Sequence, residues 1–494
     1  MKDLYENMGF TKNPFSTYSA EEEITFLSNV YVKPKFFNTI KSDLLNGHTR
    51  FILGARGIGK TALLLQLKDA LEHENVFTLI IDNFDGVNAI NNSIDFISLI
   101  IREIVTQFCI LSTRNPKLIK KLSTPQKEKL SYILTGFFKP LTDNEYTKYL
   151  SKIDAHKSSN TLKKIFNKLL NKPINVVISG GLSIISDAIR QSLGLPTVDS
   201  TFYKNYIPNL EIKEDKPMSD NFDYKSLKLI LEDLTKIVTI SGYKRVVIFF
   251  DKIDEYISLG NNLISVANFL KDILKDTTVL MNNNYSLVFS IWNAIRQDLA
   301  NTGVRFDKIK PIDITWNSED LKNILKKRVQ YFSNSKKKLG NIIPQDSDMD
   351  SIIELSNSSP RFLLRLLSYI YDYQDNLDNT SKELTTKAIS VGEESYCRNF
   401  DFYAMYPTKK GTKEDVVTNV NRLLKIGKRT IGTKDFANSF KISTQTAISY
   451  IKIVQGYSLI KELPETTNGA KLYEITDPVI KYLLSNNITA LDKQ

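Results

Sequence analysis

The sequence predicts an α/β protein built on a parallel sheet with helices on its faces. A short apolar strand at 50–53 leads through a glycine-rich turn into a helix at 61–71, and a second apolar strand follows at 76–81. Two further apolar strands are predicted at 245–250 and 286–291. Strands that are apolar along their whole length and alternate with helices are typical of a sheet covered on both faces.

Length and composition bound the classes of protein that are possible. The chain has 494 residues, of which 42% are hydrophobic and 24% charged, as in a soluble globular protein of three or four domains. Two cysteines, Cys109 and Cys397, exclude a disulfide framework and a cysteine-rich metal site, and three scattered histidines match no metal-ligand spacing. No apolar run reaches the ~20 residues that span a bilayer, so we expect a cytoplasmic protein without a membrane partner.

The positive charge of the chain is regional. Lys and Arg number 66 against 55 Asp and Glu, a formal net charge of +11. Residues 114–172 carry 14 basic and 4 acidic side chains, and residues 401–494 carry 14 basic and 9 acidic ones. These regions favour an anionic partner such as nucleic acid, although lysines at helical spacing (Lys117, Lys120, Lys121, Lys163, Lys164, Lys168) are also typical of a solvated helix face.

Changes in periodicity predict the domain boundaries. The first residues have turn chemistry at Asn13-Pro14 and no clear period, whereas a helix is expected at 35–45. From Asn317 the pattern is helical, with a capping residue followed by two acids in the first turn, and another helix is expected at 361–371. The predicted organisation is an N-terminal strap (1–34), a core (35–110 and 225–316), a basic, mainly helical insertion (111–224), a helical lid (317–406) and a C-terminal domain (407–494).

A phosphate-binding loop is predicted between the first strand and the helix after it. The segment reads G-x-x-x-x-G-K-T, and its glycines allow backbone N–H groups to curl around phosphate oxygens. The helix N-terminus adds partial positive charge at the same place. Lys60 is expected on the β- and γ-phosphates, and the Thr61 hydroxyl on Mg²⁺. The predicted nucleotide-binding residues are Gly54, Ala55, Arg56, Gly57, Ile58, Gly59, Lys60 and Thr61.

Three acids follow the strand at 245–250. Asp251 leaves the strand directly and is the expected second ligand of Mg²⁺. Asp254 and Glu255 are candidates for orienting or deprotonating the attacking water. An acidic loop after a core strand is common by itself, so this prediction depends on the phosphate loop that precedes it in the chain.

Together these motifs resemble the AAA+ and STAND groups of P-loop ATPases, above all the initiator-type (origin-recognition) AAA+ ATPases and the NACHT-like STAND proteins. The resemblance implies a P-loop NTPase three-layer parallel sheet with an α-helical lid, ATP and Mg²⁺ as ligands, and an ATP-dependent homo-oligomer. Initiator-type ATPases commonly have Asp-Glu at the strand end, where this chain has Asp251-Lys252; the spacing of Asp251, Asp254 and Glu255 is similar to that of NACHT-like proteins. Binding is therefore expected more firmly than hydrolysis, and slow turnover is expected.

The same resemblance implies three further site residues. Asn293, with Ser290 as the alternative, is expected as the polar residue that senses the γ-phosphate at the end of the next strand. Arg361, in Ser-Pro-Arg, matches the lid arginine that contacts the γ-phosphate, unless it only caps its helix. Arg305 lies where the family places an arginine finger for a neighbouring subunit, although a plain surface arginine fits equally well there.

Residues 413–485 have the order of elements of a winged helix, a domain that initiator-type ATPases often carry behind the lid. The expected recognition helix begins at Ser443, Thr444, Gln445, Thr446 and Ala447, and phosphate contacts are expected from Lys428, Arg429, Lys441 and Lys452. Winged helices also dock proteins, and the helix carries a single lysine, so double-stranded DNA and a protein both stay open as partners.

Two hypotheses for function follow. In the first, the chain is a regulatory ATPase that assembles with ATP and acts on or near DNA, in a setting such as prokaryotic anti-phage defence, mobile elements or replication. In the second, it is a STAND-type signalling switch that recruits a separate effector protein without binding DNA. The sequence contains no nuclease, TIR or protease motif, so such an effector would be another chain.

Overall fold

In the computed structural model, the described residues are 3–138, 187, 189–198, 202, 222–256, 259, 262–309, 311–406, 412–467 and 470–491. Labels below number their helices and strands in chain order. Up to residue 313 these elements are α1 (Leu4–Asn7), α2 (Leu27–Val30), α3 (Phe37–Leu45), β1 (Arg50–Gly54), α4 (Lys60–Glu72), β2 (Phe77–Ile81), α5 (Ser93–Arg114), α6 (Lys117–Lys120), α7 (Thr124–Phe137), α8 (Tyr224–Ile240), β3 (Val246–Phe250), α9 (Leu263–Lys275), α10 (Thr277–Leu280), β4 (Tyr285–Trp292), α11 (Arg296–Asn301) and β5 (Ile312–Asp313).

The second part of the chain is mainly helical. Its elements are α12 (Ser318–Phe332), α13 (Asp346–Leu355), α14 (Pro360–Leu377), α15 (Thr386–Arg398), α16 (Phe402–Met405), α17 (Val416–Ile426), β6 (Thr430–Gly432), α18 (Thr433–Phe440), α19 (Thr444–Gly456), β7 (Ile460–Thr467), β8 (Ala470–Ile475) and α20 (Pro478–Ser485). None of the described helices is long and apolar enough to cross a membrane.

The chain divides into two compact units. One, which we call the sheet unit, comprises residues 36–53 and 64–312; the other, which we call the lid unit, comprises residues 1–35, 54–63 and 313–494. The phosphate loop thus groups with the predicted lid, and the lid and C-terminal regions are not separated from each other.

The predicted α/β sheet is confirmed. Five strands are arranged in the order β2-β3-β4-β1-β5, and β3 pairs in parallel with both β2 and β4. Every residue of β3 and β4 is buried. Central strands that are apolar throughout are expected where helices cover both faces of a sheet.

Helices from the predicted insertion contribute to the core of the sheet unit. Helix α5 continues through the expected boundary at residue 110, and α7 packs against α5 and α8. Leu130, Ile133 and Phe137 of α7 are buried in the same apolar cluster as the strands. Lys117, Lys120 and Lys121 are exposed on or beside α6, whereas Lys163, Lys164 and Lys168 lie outside the described residues.

In the lid unit, the N-terminal strap is fixed to α12 by a buried ion pair. The Arg328 guanidinium donates to Glu23 Oε1 at 2.5 Å and to the Thr17 carbonyl at 2.9 Å, and it also donates to the Pro14 carbonyl. Both charged side chains are more than nine-tenths buried, at 2% and 8% exposure. The strap therefore has a specific polar anchor in addition to its apolar contacts.

The region after residue 411 follows the predicted order of elements: α17, β6, α18, α19, β7, β8 and α20. We call residues 413–488 the C-terminal unit. Strand β8 lies between β6 and β7 and pairs antiparallel with both. Ser443 caps α19 by accepting a hydrogen bond from the Thr446 N–H at 3.2 Å.

Candidate nucleotide-binding site

The phosphate loop follows β1 and ends in the first turn of α4, as the motif requires. Gly57 and Gly59 have φ angles of 77° and 91°, in the region that residues with a side chain rarely adopt. A Cβ at Gly54 would lie 2.6 Å from Ile58 Cγ2, so this position also has no room for a side chain. Gly57 and Gly59 are thus required by the backbone path, and Gly54 by the space that the Ile58 side chain occupies.

Lys60 is held at the base of this loop. Its Nζ donates to the carbonyl oxygens of Gly54 at 3.0 Å and Ala55 at 3.1 Å. These bonds keep the ammonium group of Lys60 close to the loop, where an incoming phosphate would need it.

Residues from 316 onward in the lid unit bind two carbonyl groups of the same loop. The Gly57 carbonyl accepts hydrogen bonds from Ser359 Oγ at 3.1 Å and from the Arg361 N–H at 3.3 Å. The Ile58 carbonyl accepts from the indole Nε1 of Trp316 at 2.8 Å. A Cβ at Gly57 would lie 2.8 Å from Ser359 Oγ and 3.1 Å from Arg361 Cβ, so the N-terminus of α14 packs directly on this glycine.

The predicted acids are arranged around the end of β3. Asp251 is buried, and its N–H donates to the Ile81 carbonyl of β2 at 3.0 Å. Lys252 has a φ of 56°, a left-handed turn that leads into a 3₁₀ turn at Ile253–Glu255. Within that turn Asp254 is buried and Glu255 is exposed, so the two candidates for the catalytic base differ in their access to water.

A glycine-rich loop between a buried strand and a helix, and an acid at the tip of another parallel strand of the same sheet, are the two parts of a nucleoside-triphosphate site. The core has the P-loop NTPase fold. In this P-loop NTPase core, β4 lies between β1 and β3, and its end carries the predicted polar residue.

That residue, Asn293, follows β4 immediately and is exposed. Ser290, the alternative, is buried within β4, and its hydroxyl has no hydrogen-bond partner among the described residues. The exposed position suits Asn293 better for contact with a ligand, and its sensing role stays a prediction.

Arg361 and Arg305 differ in their surroundings. Arg361 lies in the first turn of α14 with its backbone on Gly57, so its exposed side chain starts beside the phosphate loop. Arg305 is exposed and forms a bidentate ion pair with Asp307, at 2.7 and 2.6 Å. Hydrogen bonding to Arg305 lowers the pKa of Asp307 to about 2, so the pair is fully charged at neutral pH.

The residues expected to hold Mg²⁺ suit this ion. Thr61 and Asp251 offer oxygen donors, which a hard cation prefers, and Mg²⁺ in such sites takes its remaining ligands from water and substrate phosphates. No group of three or more His, Cys, Asp or Glu side chains among the described residues is arranged to hold a metal by itself. Oxygen donors of this kind suit an ion that arrives with its nucleotide.

Comparison with known proteins gives structural matches only. No protein-family model matches the chain, and no curated protein does. A solved structure of a RuvB variant from Thermotoga maritima is similar over 48% of this chain and 69% of its own, with 15% identity and a TM-score of 0.24. Another RuvB variant from the same organism matches over 68% and 96%, with 14% identity and a TM-score of 0.25. A structure of Drosophila ORC bound to DNA matches over 97% and 90%, with 9% identity and a TM-score of 0.29.

Sequence analysis did not identify Trp316 and Ser359 as part of the site. Trp316 is separated from Ile58 by 258 residues, and Ser359 from Gly57 by 302. A signal was nevertheless present, because Ser359 is the first residue of the Ser-Pro-Arg lid motif and Trp316 precedes the capping residue Asn317. Neither position revealed that a backbone carbonyl of the phosphate loop would be the partner.

Proposed function

We propose that this chain is an ATP-binding AAA+ ATPase of the initiator or STAND type, with slow hydrolysis, that assembles with ATP and acts on or near DNA. The proposal rests on the phosphate loop. Its glycines have the backbone angles that the motif requires, Lys60 lies beside it, and residues of the lid unit bind its carbonyl groups. The settings that follow from the resemblance are anti-phage defence, mobile elements and replication in a prokaryote.

ATP and Mg²⁺ are the proposed ligands. The loop N–H groups and Lys60 would bind the phosphates, and Thr61 and Asp251 would hold the ion. Bound Mg²⁺ would neutralise charge on the β- and γ-phosphates. Arg361 would contact the γ-phosphate from the lid, and Asn293 would respond to its loss.

Replacing Glu255 by Gln is expected to preserve ATP affinity and to slow steady-state hydrolysis by about 10²–10⁴-fold, the usual contribution of a general base. The physical reason is that Glu255 is exposed and accessible to water, whereas Asp254 is buried. Phosphate release would be measured together with calorimetric affinity. Unchanged turnover in Glu255→Gln, with loss in Asp254→Asn, would assign the role to Asp254.

Arg305 is the proposed finger for a neighbouring subunit's ATP, and it must leave Asp307 to act. We expect Arg305→Ala to reduce hydrolysis only at concentrations where the protein is assembled, and Asp307→Asn to keep or raise that activity because it releases the arginine. Turnover would be measured across a dilution series alongside the mass of the particle by light scattering. Equal loss in monomer and assembly would contradict a role in trans.

Contact with double-stranded DNA is proposed for α19 of the C-terminal unit. Ser443, Thr444, Gln445 and Lys452 are exposed at or on this helix, whereas Ala447 is buried and faces its own core. Lys441 is exposed, Lys428 pairs with Asp435 at 2.6 Å, and Arg429 bonds to Ser485. The side chains available for DNA are thus mainly polar, with few unengaged cations.

The proposal is tested by calorimetry of the full chain with Mg²⁺ and ATP, followed by anisotropy of a labelled duplex with a non-hydrolysable ATP analogue. Affinity for the duplex should fall steeply from about 50 to 200 mM salt, because phosphate contacts release counterions. Lys452→Ala should weaken it, whereas Lys387→Ala, an exposed lysine of the lid, should not. Absence of heat for ATP and ADP would refute nucleotide binding.

One observation favours the second hypothesis, a switch that recruits an effector protein. Helix α19 carries a single lysine, Lys452, among otherwise uncharged residues. Such a helix can neutralise few phosphates, so it suits a protein partner better than a phosphate backbone. ATP binding with no retention of duplex at about 50 mM salt would therefore favour the switch over the DNA-linked ATPase.

A further inference from the structure

Three donors from residues 316–361 of the lid unit bind two consecutive carbonyl groups of the phosphate loop, as described above. Ser359 Oγ and the Arg361 N–H bind the Gly57 carbonyl, and the Trp316 indole binds the Ile58 carbonyl. Trp316, Ser359 and Ile58 are all more than nine-tenths buried. The hydrogen bond from Trp316 to the Ile58 carbonyl is thus shielded from water, where it is stronger and where losing one partner costs more free energy.

The direction of these bonds matters for phosphate binding. A loop that binds phosphate must present its N–H groups to the phosphate oxygens. A carbonyl group that turned toward these oxygens would repel them, because both carry negative charge. The three donors already occupy the Gly57 and Ile58 carbonyls, which are therefore not free to turn toward phosphate. Gly57 and Gly59 both have positive φ angles, and glycine has little intrinsic preference for this conformation over others. The loop therefore depends on its surroundings to keep this path.

We propose that Trp316 and Ser359 are positioning residues for the phosphate loop, which hold two of its carbonyl groups so that its N–H groups stay available to phosphate. This inference rests on the proposed nucleotide site and deepens it, because it names the contacts that keep the loop in its phosphate-binding path.

Trp316→Phe tests this role because it keeps an aromatic ring and removes the N–H donor, together with part of the buried volume of the indole. Ser359→Ala provides a second, independent test if the tryptophan variant fails to fold. Ser359 also caps α14, accepting from the Phe362 N–H, so its matched control is Thr385→Ala, which removes the equivalent cap of α15 far along the chain from the loop motif. Calorimetric Kd values for Mg·ATP and ADP would be measured on the full chain, with thermal midpoints recorded in parallel.

We expect Trp316→Phe and Ser359→Ala each to raise the Kd for both nucleotides by roughly three- to tenfold, as expected for a hydrogen bond worth about 1 kcal/mol. Thr385→Ala should lower the thermal midpoint without changing Kd. Kd values within about twofold of wild type in folded Trp316→Phe and Ser359→Ala would overturn the inference and leave the proposed function intact. A wild-type chain that binds neither nucleotide would instead refute the proposed function.

Discussion

Lys60→Ala is expected to remove measurable ATP and ADP binding, the largest functional effect of any single change in this chain. The lysine supplies a full positive charge at the loop, and its hydrogen bonds to phosphate would be charge-assisted on both sides. Each such bond contributes about 1.5–3 kcal/mol, so the loss of two or more lowers affinity by at least 10²-fold. Calorimetry of the purified variant with Mg·ATP is the direct measurement.

Lys68→Ala is the matched control for this experiment. Lys68 lies on the same helix, α4, two turns further on, and pairs with Glu72 at 2.5 Å. Its removal should leave nucleotide affinity unchanged. Because Lys60 also binds the Gly54 and Ala55 carbonyls, thermal unfolding of Lys60→Ala must be recorded as well. A folded Lys60→Ala variant with the affinity of wild type would disprove the assignment of the loop.

The largest expected effect on stability comes from Glu23→Ala. This change leaves the Arg328 guanidinium buried without its carboxylate, and breaking a buried ion pair at one partner costs about 3–5 kcal/mol. The carbonyls of Pro14 and Thr17 would remain as acceptors, but neither carries a charge. We expect a lower unfolding midpoint and faster proteolysis within the first thirty residues.

Two further variants distinguish the effect of burial on the stability of this ion pair from the effect of its charge. Glu319→Ala breaks the exposed pair of Glu319 with Lys326, also on α12, and should cost less than about 1 kcal/mol. The double variant Glu23→Leu with Arg328→Met removes both buried charges and should recover much of the loss. A Glu23→Ala protein as stable as Glu319→Ala would show that the strap is not anchored by this pair.

Local patterns in the sequence predicted a helix or strand well where the residues that stabilise it lie within that helix or strand or directly beside it. The Asn317 cap and its two following acids indicated the start of α12, and the apolar run at 245–250 indicated β3, because capping and complete burial leave a short-range signature. Predictions of domain boundaries had a weaker basis. The lysine-rich composition after residue 110 indicated a separate insertion, whereas the apolar face of α7 packs into the core of the sheet unit.

The roles of the three acids after β3 show the same limit. Their spacing predicted a metal ligand and two alternatives for the base, but no pattern could distinguish Asp254 from Glu255. In the structure a left-handed turn at Lys252 precedes them, and Asp254 is buried whereas Glu255 is exposed. The packing of the loop sets this φ of 56° at Lys252. Sequence statistics do not favour such a conformation for lysine.

The sequence by itself determined the phosphate loop, the acid-tipped strand and the alternation of strands and helices, since each is encoded by residues that are neighbours in the chain. Only the tertiary structure decided that Trp316 and Ser359 hold the loop carbonyls and that Arg328 anchors the strap. These contacts join residues about 260 to 310 positions apart. Their energies arise when burial excludes water from a donor and its acceptor, and burial is a property of the packed chain as a whole.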